Sequence, residues 1–373
     1  MGKQKNSKAI LIISGFNQRA VISFCRFANE NNIVFHIVAE SKNDTIFLSS
    51  YKNHVIDIRE NLSISLYDFE RWKIKIDEDN IIILPSTEYL NRFILKNRLH
   101  LENNNYVVPL CDANLYDKIS DKYSFSDICK KYDIQIPAEY DSDFKYPCVA
   151  KPKRYSTQDD LILKPVIIHS KEAHKTFDEN FNHHNFYFQE FIQGKSIYLL
   201  FYFSTDGSVS SFSQENLIQQ DQGLSIIAAV SSDHHLNEIS LKYKNMFSEL
   251  GFHGLVMVET KLYNGQYYMI EANPRLWGPS QLILDSGMDL FHHFMADYGL
   301  IPLNTLNKVY RKDVAYFWSG GIFSDRREKL KVAFHGDYNQ EQFLQDYYKF
   351  FSSEVYLRED TLNIFYSEHK NYE

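Results

Sequence analysis

Two β-type segments that meet at Asn264-Gly265 constrain the fold of this chain more than any other feature. The first segment is residues 254–259 and the second is residues 268–273, and both are rich in β-branched, aromatic or other apolar residues. Two such segments joined at an Asn-Gly dipeptide predict a β-hairpin. The sequence therefore places two antiparallel strands side by side in the second half of the chain.

The hairpin carries a pair of acids whose spacing predicts a metal site. Glu259 and Glu271 are each six residues from Gly265, so a three-residue loop over residues 264–266 would place them directly opposite each other, whereas a two-residue loop would separate them onto opposite faces. Opposed like charges lie roughly 4.5–5.5 Å apart and repel, unless a cation lies between them. Asn273 shares the face of Glu271, and two carboxylates with an amide oxygen suit Mg²⁺. The expected apolar backing on the other face is Val256, Val258, Tyr268 and Ile270.

An ordinary hairpin with two exposed glutamates is the simpler interpretation of the acid pair. The run Asn273-Pro274-Arg275 argues against it, because no structural requirement of a hairpin explains that run. The sequence therefore favours a functional hairpin.

Composition limits the class of protein. A chain of 373 residues with 44% hydrophobic and 24% charged residues has room for two or three domains with substantial cores. A net charge of -8 argues against nucleic acid as the main partner. The four cysteines form no C-x-x-C pair, so we expect neither disulfides nor a zinc site, and a cytoplasmic location. No apolar run approaches the roughly 20 residues of a membrane span.

The first third of the chain alternates short apolar segments with an amphipathic one. Residues 9–14, 33–39, 55–58 and 81–84 predict buried strands, and residues 18–31 predict a helix. This alternation is typical of an open parallel sheet, which we expect to end near residue 110.

The rest of the chain predicts a mixed, β-rich region. A helix over residues 117–132 precedes it, and the final section combines a turn at residues 318–321 with a helix over residues 340–351. Between them, the pattern predicts strands over residues 187–192, 196–204 and 224–230 and a helix over residues 238–250.

Two lysines lie at notable positions upstream of the hairpin. Lys122 lies in the predicted helix, and Lys151 ends a strand that includes Cys148. A lysine at the end of a strand can present a point charge to phosphate oxygens. Residues 189–194 form an apolar strand that ends at a glycine, and its backbone N–H and C=O groups can face an adenine edge.

Together, the acid–acid–Asn–Arg hairpin, the two lysines and this strand resemble the ATP-grasp superfamily, and within it the carboxylate–amine ligase branch. The resemblance covers about residues 9–300 in the family's order. It implies an α/β and α+β fold, with an open parallel (pre-ATP-grasp) α/β domain over residues 1–112. A two-lobed ATP-grasp domain follows over residues 113–300, and residues 301–373 are a C-terminal extension of unknown role.

The resemblance also assigns roles to residues at the family's motif positions. ATP phosphates are expected at the two lysines and at the loop after them, adenine at the hinge strand, and the metal, Mg²⁺ or in its place Mn²⁺, at the hairpin. Arg275 is expected to face the reacting carboxylate and phosphate. The assigned residues are Lys122, Lys151, Arg154, Glu190, Phe191 and Ile192 for ATP, and Glu259, Glu271 and Asn273 for the metal.

Two segments depart from the family's pattern. The loop after the second lysine is usually rich in glycine, whose backbone N–H groups can close over phosphates, but residues 152–157 contain none. Phosphate binding by its side chains and a solvated basic loop are equal alternatives. The second departure is Lys195-Ser196, which replaces the acid that often binds ribose. The loop side chains in question are Lys153, Arg154, Ser156 and Thr157.

Three His-His pairs do not indicate a metal site, because none has a third ligand at a useful spacing in the sequence. Surface histidines are the better interpretation of these pairs, at residues 183–184, 234–235 and 292–293. The last pair falls in a predicted helix, where packing explains it.

Two further segments lie where the resemblance places the acceptor side of the cleft. The polar residues 214–223 would contact the substrate or form a solvated loop, and the two alternatives are equal. Trp277-Gly278 would form a wall of the same pocket or cap the core.

The resemblance implies an ATP-dependent ligase that joins a carboxylic acid to an amine through an acyl phosphate and releases ADP and phosphate. The expected partners are small-molecule carboxylates and amines. Two alternatives stay open, namely a small-molecule kinase on the same scaffold and a non-catalytic nucleotide-binding regulatory protein. For residues 301–373, covering the cleft, binding substrate and forming a homodimer contact all stay open.

Overall fold

The computed structural model describes residues 7–60, 63–154, 163–303, 309–327 and 332–370. Three β-sheets organise this part of the chain.

The first sheet is an open parallel sheet, as predicted. Its strands are β1 (Lys8–Ile13), β2 (Phe35–Ala39), β3 (Val55–Ile58), β4 (Asn80–Ile83) and β5 (Tyr106–Val107). They lie in the order β3-β2-β1-β4-β5, and every pair is parallel. The Ala, Ile and Leu side chains on both faces of β1 are buried, which is the pattern of a parallel sheet covered by helices. The helices of this region are α1 (Gln18–Glu30), α2 (Leu66–Ile74), α3 (Glu88–Lys96) and α4 (Arg98–Asn103).

Two short helices follow where the sequence predicts one. They are α5 (Ala113–Ser120) and α6 (Lys122–Lys131). Asp121 between them has an extended backbone, and its side chain accepts a hydrogen bond from the N–H of Ser124 at 2.8 Å. An aspartate that caps the next helix in this way ends the preceding one. The single helix predicted over residues 117–132 is therefore wrong, and Lys122 lies at the start of α6.

The second sheet is small and antiparallel. Its strands are β6 (Glu139–Tyr140), β7 (Cys148–Pro152), β8 (Val166–Ile168) and β9 (Phe186–Glu190), and helix α7 (Lys171–Asn180) lies between the last two in the chain. The strand order is β6-β9-β7-β8.

The third sheet has seven strands and contains the predicted hairpin. Its first five strands are β10 (Lys195–Phe203), β11 (Val209–Gln220), β12 (Ile226–Ser231), β13 (Gly254–Tyr263) and β14 (Gln266–Asn273). The helices of this stretch are α8 (Glu238–Glu249), α9 (Gln281–Asp285) and α10 (Leu290–Asp297).

The section after residue 301 completes this third sheet. It contributes β15 (Ala315–Phe317), which pairs with β12, and β16 (Val332–Phe334), which pairs with β11. Its helices are α11 (Ser319–Arg327), α12 (Gln340–Gln345), α13 (Tyr347–Phe351) and α14 (Leu362–His369). The turn predicted at residues 318–321 is wrong because α11 begins there, and the helix predicted over residues 340–351 is interrupted at Asp346.

Alternate residues of the central strand β10 enter two different cores. Leu200 and Tyr202 join a cluster that includes Ile10 of β1, whereas Leu199 and Phe201 join a second cluster with other residues of the first sheet. Both faces of the large sheet are therefore covered, and polar residues on them need partners within the fold. Among the described residues, no helix is both long and apolar enough to cross a membrane.

Candidate functional site

Strands β13 and β14 connect through a two-residue turn at Asn264 and Gly265. Tyr263 pairs with Gln266, and the φ angles of the two turn residues are 49° and 77°. Positive φ at both central positions is typical of a type I′ hairpin turn. The predicted three-residue loop is therefore wrong.

One extra residue in β14 nevertheless brings the two acids into register. Thr260 pairs with Met269 and Glu259 pairs with Glu271, so Ile270 is the extra residue of a β-bulge. A bulge shifts the ladder by one position on one strand. The predicted opposition of Glu259 and Glu271 is confirmed, but a bulge produces it and the loop does not.

The bulge also changes the apolar backing of the hairpin. On β13, Val256 and Val258 are fully buried in a core cluster, as predicted. On β14, Tyr268 and Ile270 are only half-buried and are not part of that cluster, so this part of the prediction is wrong. The residues that take their place are Tyr267, Met269 and Ala272.

Four of the predicted side chains form a chain of direct contacts at the end of β14. Lys122 Nζ lies 2.5 Å from Glu271 Oε2. Asn273 Nδ2 donates a hydrogen bond to Glu271 Oε1 at 2.8 Å, and Arg275 Nη2 donates one to Asn273 Oδ1 at 3.0 Å. The start of α6 and the end of β14 thus bring two cations, a carboxylate and an amide together.

The pKa values of the two opposed carboxyl groups are shifted in opposite directions. Burial and the neighbouring Glu271 raise the pKa of Glu259. Burial also raises the pKa of Glu271, but the charge and hydrogen bond of Lys122 outweigh it and bring this pKa to about 2. A further positive charge would favour ionisation of Glu259 as well.

This donor set fits a hard divalent cation. The carboxylates of Glu259 and Glu271 face each other and Asn273 adjoins them, which gives the oxygen ligands that Mg²⁺ prefers. Asn273 turns its amide nitrogen toward Glu271 and its oxygen toward Arg275. Ligation by Asn273 would therefore require its two amide atoms to exchange places, whereas the two carboxylates need no such change.

Lys151 of β7 reaches the same hairpin from the small sheet. Its Nζ donates to the backbone oxygen of Ile270 at 2.9 Å, and the residue is 4% exposed. Burial and the charge of Lys122 lower the pKa of Lys151 to about 8. Lys151 thus joins the two antiparallel sheets at the bulge, and its contact with ATP phosphates stays a prediction.

The predicted adenine-binding residues lie at the end of β9. The side chain of Glu190 is exposed, and its backbone N–H donates to the oxygen of Ala138 at 2.8 Å. Phe191 is half-buried and Ile192 is buried. The backbone N–H of Glu190 therefore already has a hydrogen-bond acceptor within the protein. Contacts of this segment with adenine stay a prediction.

The loop after β7 is described only up to Arg154. That side chain is exposed, and the backbone N–H of Lys153 donates to the oxygen of Asn185 at 2.9 Å. Ser156 and Thr157 lie outside the described residues.

Lys195 has a partner that the sequence does not indicate. Its Nζ lies 3.0 Å from an oxygen of Glu215 on the neighbouring strand β11. Burial raises the pKa of Glu215, but hydrogen bonds from His234 and Lys195 lower it overall. An acid therefore lies beside Lys195 after all, supplied by another strand.

Residues 214–220 of the polar segment are part of β11 and are buried, except for the half-buried Glu215. Gln214 Nε2 donates to Asn216 Oδ1 at 2.6 Å, and Asn216 Nδ2 donates to Ser196 Oγ at 3.1 Å. The solvated-loop alternative is wrong for this part. Strand pairing also aligns Gln214, Tyr198 and Glu259 across three strands. Sequence reasoning misses Tyr198, because its place beside Glu259 depends on the register of β10 against β13, which a single sequence does not specify.

Trp277 belongs to the core. It is 1% exposed and packs in the cluster that includes Leu276. This burial favours the interpretation that Trp277 caps the core, and not that it forms a wall of a pocket.

The histidine pairs are less exposed than predicted. His235 is buried, so the surface interpretation is wrong for it. His292 is also buried, which agrees with the predicted explanation by packing. For His292, the predicted helix is confirmed as α10. His183 lies beside His174 and Asp178, two potential metal ligands that its sequence neighbours did not reveal.

The four cysteines are free and buried. The expectation of no disulfide framework therefore agrees with the structure.

Comparison with known proteins identifies the central part of the chain. Residues 119–279 match the family model of the ATP-grasp domain. No curated protein matches the chain.

Several solved structures share the fold at low sequence identity. The biotin carboxylase domain of Hydrogenobacter thermophilus 2-oxoglutarate carboxylase, in complex with MgADP, ADP and bicarbonate, has a TM-score of 0.62 at 12% identity, over 84% of this chain and 74% of that chain. An ADP complex of N5-carboxyaminoimidazole ribonucleotide synthetase has a TM-score of 0.62 at 16% identity, over 87% and 85%. The synthetase from Thermus thermophilus has a TM-score of 0.60 at 12% identity, over 83% of each chain.

These structures cover 83–87% of this chain, so the likeness in fold extends beyond residues 119–279. The chain therefore has the ATP-grasp fold, and its residues 119–279 are an ATP-grasp domain.

Proposed function

We propose that the protein is an ATP-dependent carboxylate–amine ligase that forms an amide or peptide bond through an acyl phosphate. The observation that carries the proposal is the contact chain from Lys122 through Glu271 and Asn273 to Arg275, with the buried Glu259 opposite. Nucleotide binding alone does not require Arg275. The likeness to structures solved with ADP or MgADP supports the nucleotide part of the proposal.

ATP and Mg²⁺ are the proposed cofactors, with Mn²⁺ as an alternative metal. Glu259, Glu271 and Asn273 would hold the metal, which when bound neutralises charge on the transferring phosphoryl group. ATP would lie between the small sheet and the large sheet. Its phosphates would meet Lys122, Lys151 and Arg154, and its adenine would meet Glu190, Phe191 and Ile192.

The proposed reaction has two displacement steps. A carboxylate oxygen of the acid attacks the γ-phosphorus, the bond from this phosphorus to the β–γ bridging oxygen breaks, and ADP leaves. The amine nitrogen then attacks the carbonyl carbon of the acyl phosphate, the carbon–oxygen bond to phosphate breaks, and the nitrogen loses a proton. The products are an amide, ADP and phosphate.

The protein's own part in these steps is positioning and charge stabilisation. Arg275 would hold the acid's carboxylate and then donate to the oxyanion of the tetrahedral intermediate. Lys122 already neutralises Glu271, and in the complex it would also meet phosphate oxygens. No covalent bond to the protein is needed.

The first experiment measures thermal unfolding with and without Mg-ATP. A ligand at 100 times its Kd stabilises the folded protein by about 2.7 kcal/mol, and we expect a shift that needs Mg²⁺. Glu271→Gln should lose the shift because it removes a charge from the metal site. The exposed Glu341 provides the matched control Glu341→Gln, which should keep it. Equal shifts in both variants would contradict the metal assignment.

A second experiment tests the acyl phosphate. Hydroxylamine replaces the amine, and a panel of carboxylic acids is screened for hydroxamate together with ADP and phosphate. The ligase proposal expects hydroxamate with at least one acid. A stable phosphorylated product without hydroxamate would indicate a kinase, and binding of Mg-ATP without any product from an extensive panel would favour a regulatory nucleotide-binding protein.

A further inference from the structure

Three potential metal ligands lie together in the part of the protein built on the small sheet. They are His174 and Asp178 of α7 and His183 of the turn before β9. Their ligand atoms all lie within 4.8 Å of one another. Asp178 Oδ1 is 3.0 Å from His183 Nδ1 and 3.9 Å from His174 Nε2. None of the three residues belongs to the site proposed for ATP.

Local structure explains why the three side chains meet. His174 and Asp178 are four residues apart in α7, a spacing that places two side chains on the same face of a helix. A short 3-10 helix, His183–Asn185, then brings His183 back to that face. Asn182 caps this turn, because its side chain accepts a hydrogen bond from the N–H of His184 at 3.1 Å.

Two aromatic neighbours fix the ring of His174. The hydroxyl of Tyr146 lies 2.9 Å from its Nδ1, and the ring packs edge-on against Phe144 with centroids 4.4 Å apart. His174 is buried. When Nδ1 is protonated and donates to the hydroxyl oxygen of Tyr146, Nε2 presents its lone pair on the side of Asp178. Ligating histidines in metal sites are commonly oriented by such a partner on the other ring nitrogen.

We propose that His174, Asp178 and His183 bind a divalent transition metal ion, with Zn²⁺ as the expected occupant. Two imidazoles and one carboxylate suit Zn²⁺, and three protein ligands leave a fourth position for water. Ligands at the usual distances from tetrahedral Zn²⁺ lie roughly 3.3 Å apart. The separations of 3.0 and 3.9 Å lie on either side of that value, so small side-chain adjustments complete the site.

Binding at this site would stabilise the strand that leads to Glu190. Phe188 of β9 packs against the ring of His174, with centroids 5.1 Å apart, and against the ring of His183, with centroids 4.6 Å apart. A metal bridging the two histidines would hold both rings against this strand. The expected role is therefore structural, and it does not depend on the proposed ligase activity.

The test is calorimetric titration of the metal-free full-length protein with Zn²⁺ alone. Loss of the group that orients a ligating histidine typically costs 10–100-fold in metal affinity, so Tyr146→Phe should weaken binding by about that factor. His183→Ala and Asp178→Asn each remove a ligand and should weaken binding by at least about 100-fold. Both residues are exposed, so these substitutions leave the buried side chain of His174 in place.

The neighbouring His184 provides the matched control. It is also exposed and lies in the same turn, and His184→Ala should leave Zn²⁺ affinity and stoichiometry unchanged. Zn²⁺ should raise the melting temperature of the parent and of His184→Ala, but not that of His183→Ala. Equal binding by the two alanine variants, or no binding by the parent protein, would show that these residues form an Asp–His ion pair only and would overturn the proposal.

Discussion

At the scale of single residues, substitution of Arg275 distinguishes the proposed ligase from a protein that only binds nucleotide. Its guanidinium donates to Asn273 Oδ1 at 3.0 Å and to the backbone oxygen of Leu276 at 3.1 Å, so its position is fixed next to the proposed metal ligands. In the proposed mechanism it stabilises the oxyanion, and loss of one such donor typically lowers kcat by 10²–10³-fold. We therefore expect Arg275→Ala to lower kcat by roughly 10²–10³-fold in steady-state ADP release, with Mg-ATP stabilisation largely kept.

A second arginine provides the control for this prediction. Arg311 is exposed and donates to a backbone oxygen, that of Asp285, at 2.6 Å. Arg311→Ala should leave kcat unchanged. A decrease of less than about threefold for Arg275→Ala would contradict the oxyanion role, because a lost oxyanion donor is expected to cost far more.

The residues of the candidate site divide into those the sequence reveals and those it does not. Glu271, Asn273 and Arg275 lie within five positions of one another on one strand end, so their proximity follows from strand geometry. Glu215 and Tyr198 come from other strands. Their places beside Lys195 and Glu259 depend on strand register, which a single sequence does not specify.

At the scale of elements, Gly194 joins the small sheet to the large one at a close approach of two backbones. A Cβ atom on Gly194 would lie 2.4 Å from the backbone oxygen of Leu262 in β13. Overpacking of this kind typically costs 1–3 kcal/mol. We expect Gly194→Ala to lower the free energy of unfolding by about 1–3 kcal/mol in a urea titration. The adjacent, exposed Gln193 is the control, and Gln193→Ala should change stability by less than about 0.5 kcal/mol. Equal midpoints for the two variants would mean that the strands separate at little cost.

Elements with a strong local pattern are predicted well, and interruptions within them are not. Strand Val55–Ile58 has the predicted bounds, and α1 differs from its prediction by one residue. By contrast, neither the capping role of Asp121 nor the bulge at Ile270 follows from the pattern of the sequence. Each depends on one residue whose hydrogen bonds or packing outweigh the periodic pattern around it.

At the scale of the whole molecule, residues after 301 contact both the large antiparallel sheet and helix α1 of the first third of the chain. Besides adding two strands to the large sheet, they supply a set of acceptors for Arg26 of α1, which is 6% exposed. Arg26 donates to both oxygens of Asp360, to Thr361 Oγ1 and to the backbone oxygen of Val355. It also donates to Gln281 in α9. The parallel sheet, the region after the hairpin and the C-terminal section thus meet at one guanidinium.

Removal of this guanidinium should destabilise the molecule strongly. Arg26→Met keeps most of the side-chain volume but leaves Asp360 without its buried counter-charge, and breaking a buried pair typically costs 3–5 kcal/mol. We expect a loss of about this size in the free energy of unfolding, measured in urea at neutral pH. Lys130 pairs with Asp127 and Glu139 at the surface, so the control Lys130→Met should cost less than about 1 kcal/mol.

The pH dependence of this loss provides an independent test of the same contact. Burial raises the pKa of Asp360, but hydrogen bonds and charge from Arg26 outweigh it and lower the pKa overall. A carboxyl with a lowered pKa in the folded protein stabilises it above the pKa of the unfolded chain, about 3.9 for aspartate, and this stabilisation is lost as the pH falls through the folded-state pKa. Arg26→Met should therefore differ most from the parent protein near neutral pH and progressively less below about pH 4. A difference that stays constant over this range would mean that packing around Arg26, and not its charge, joins the C-terminal section to α1.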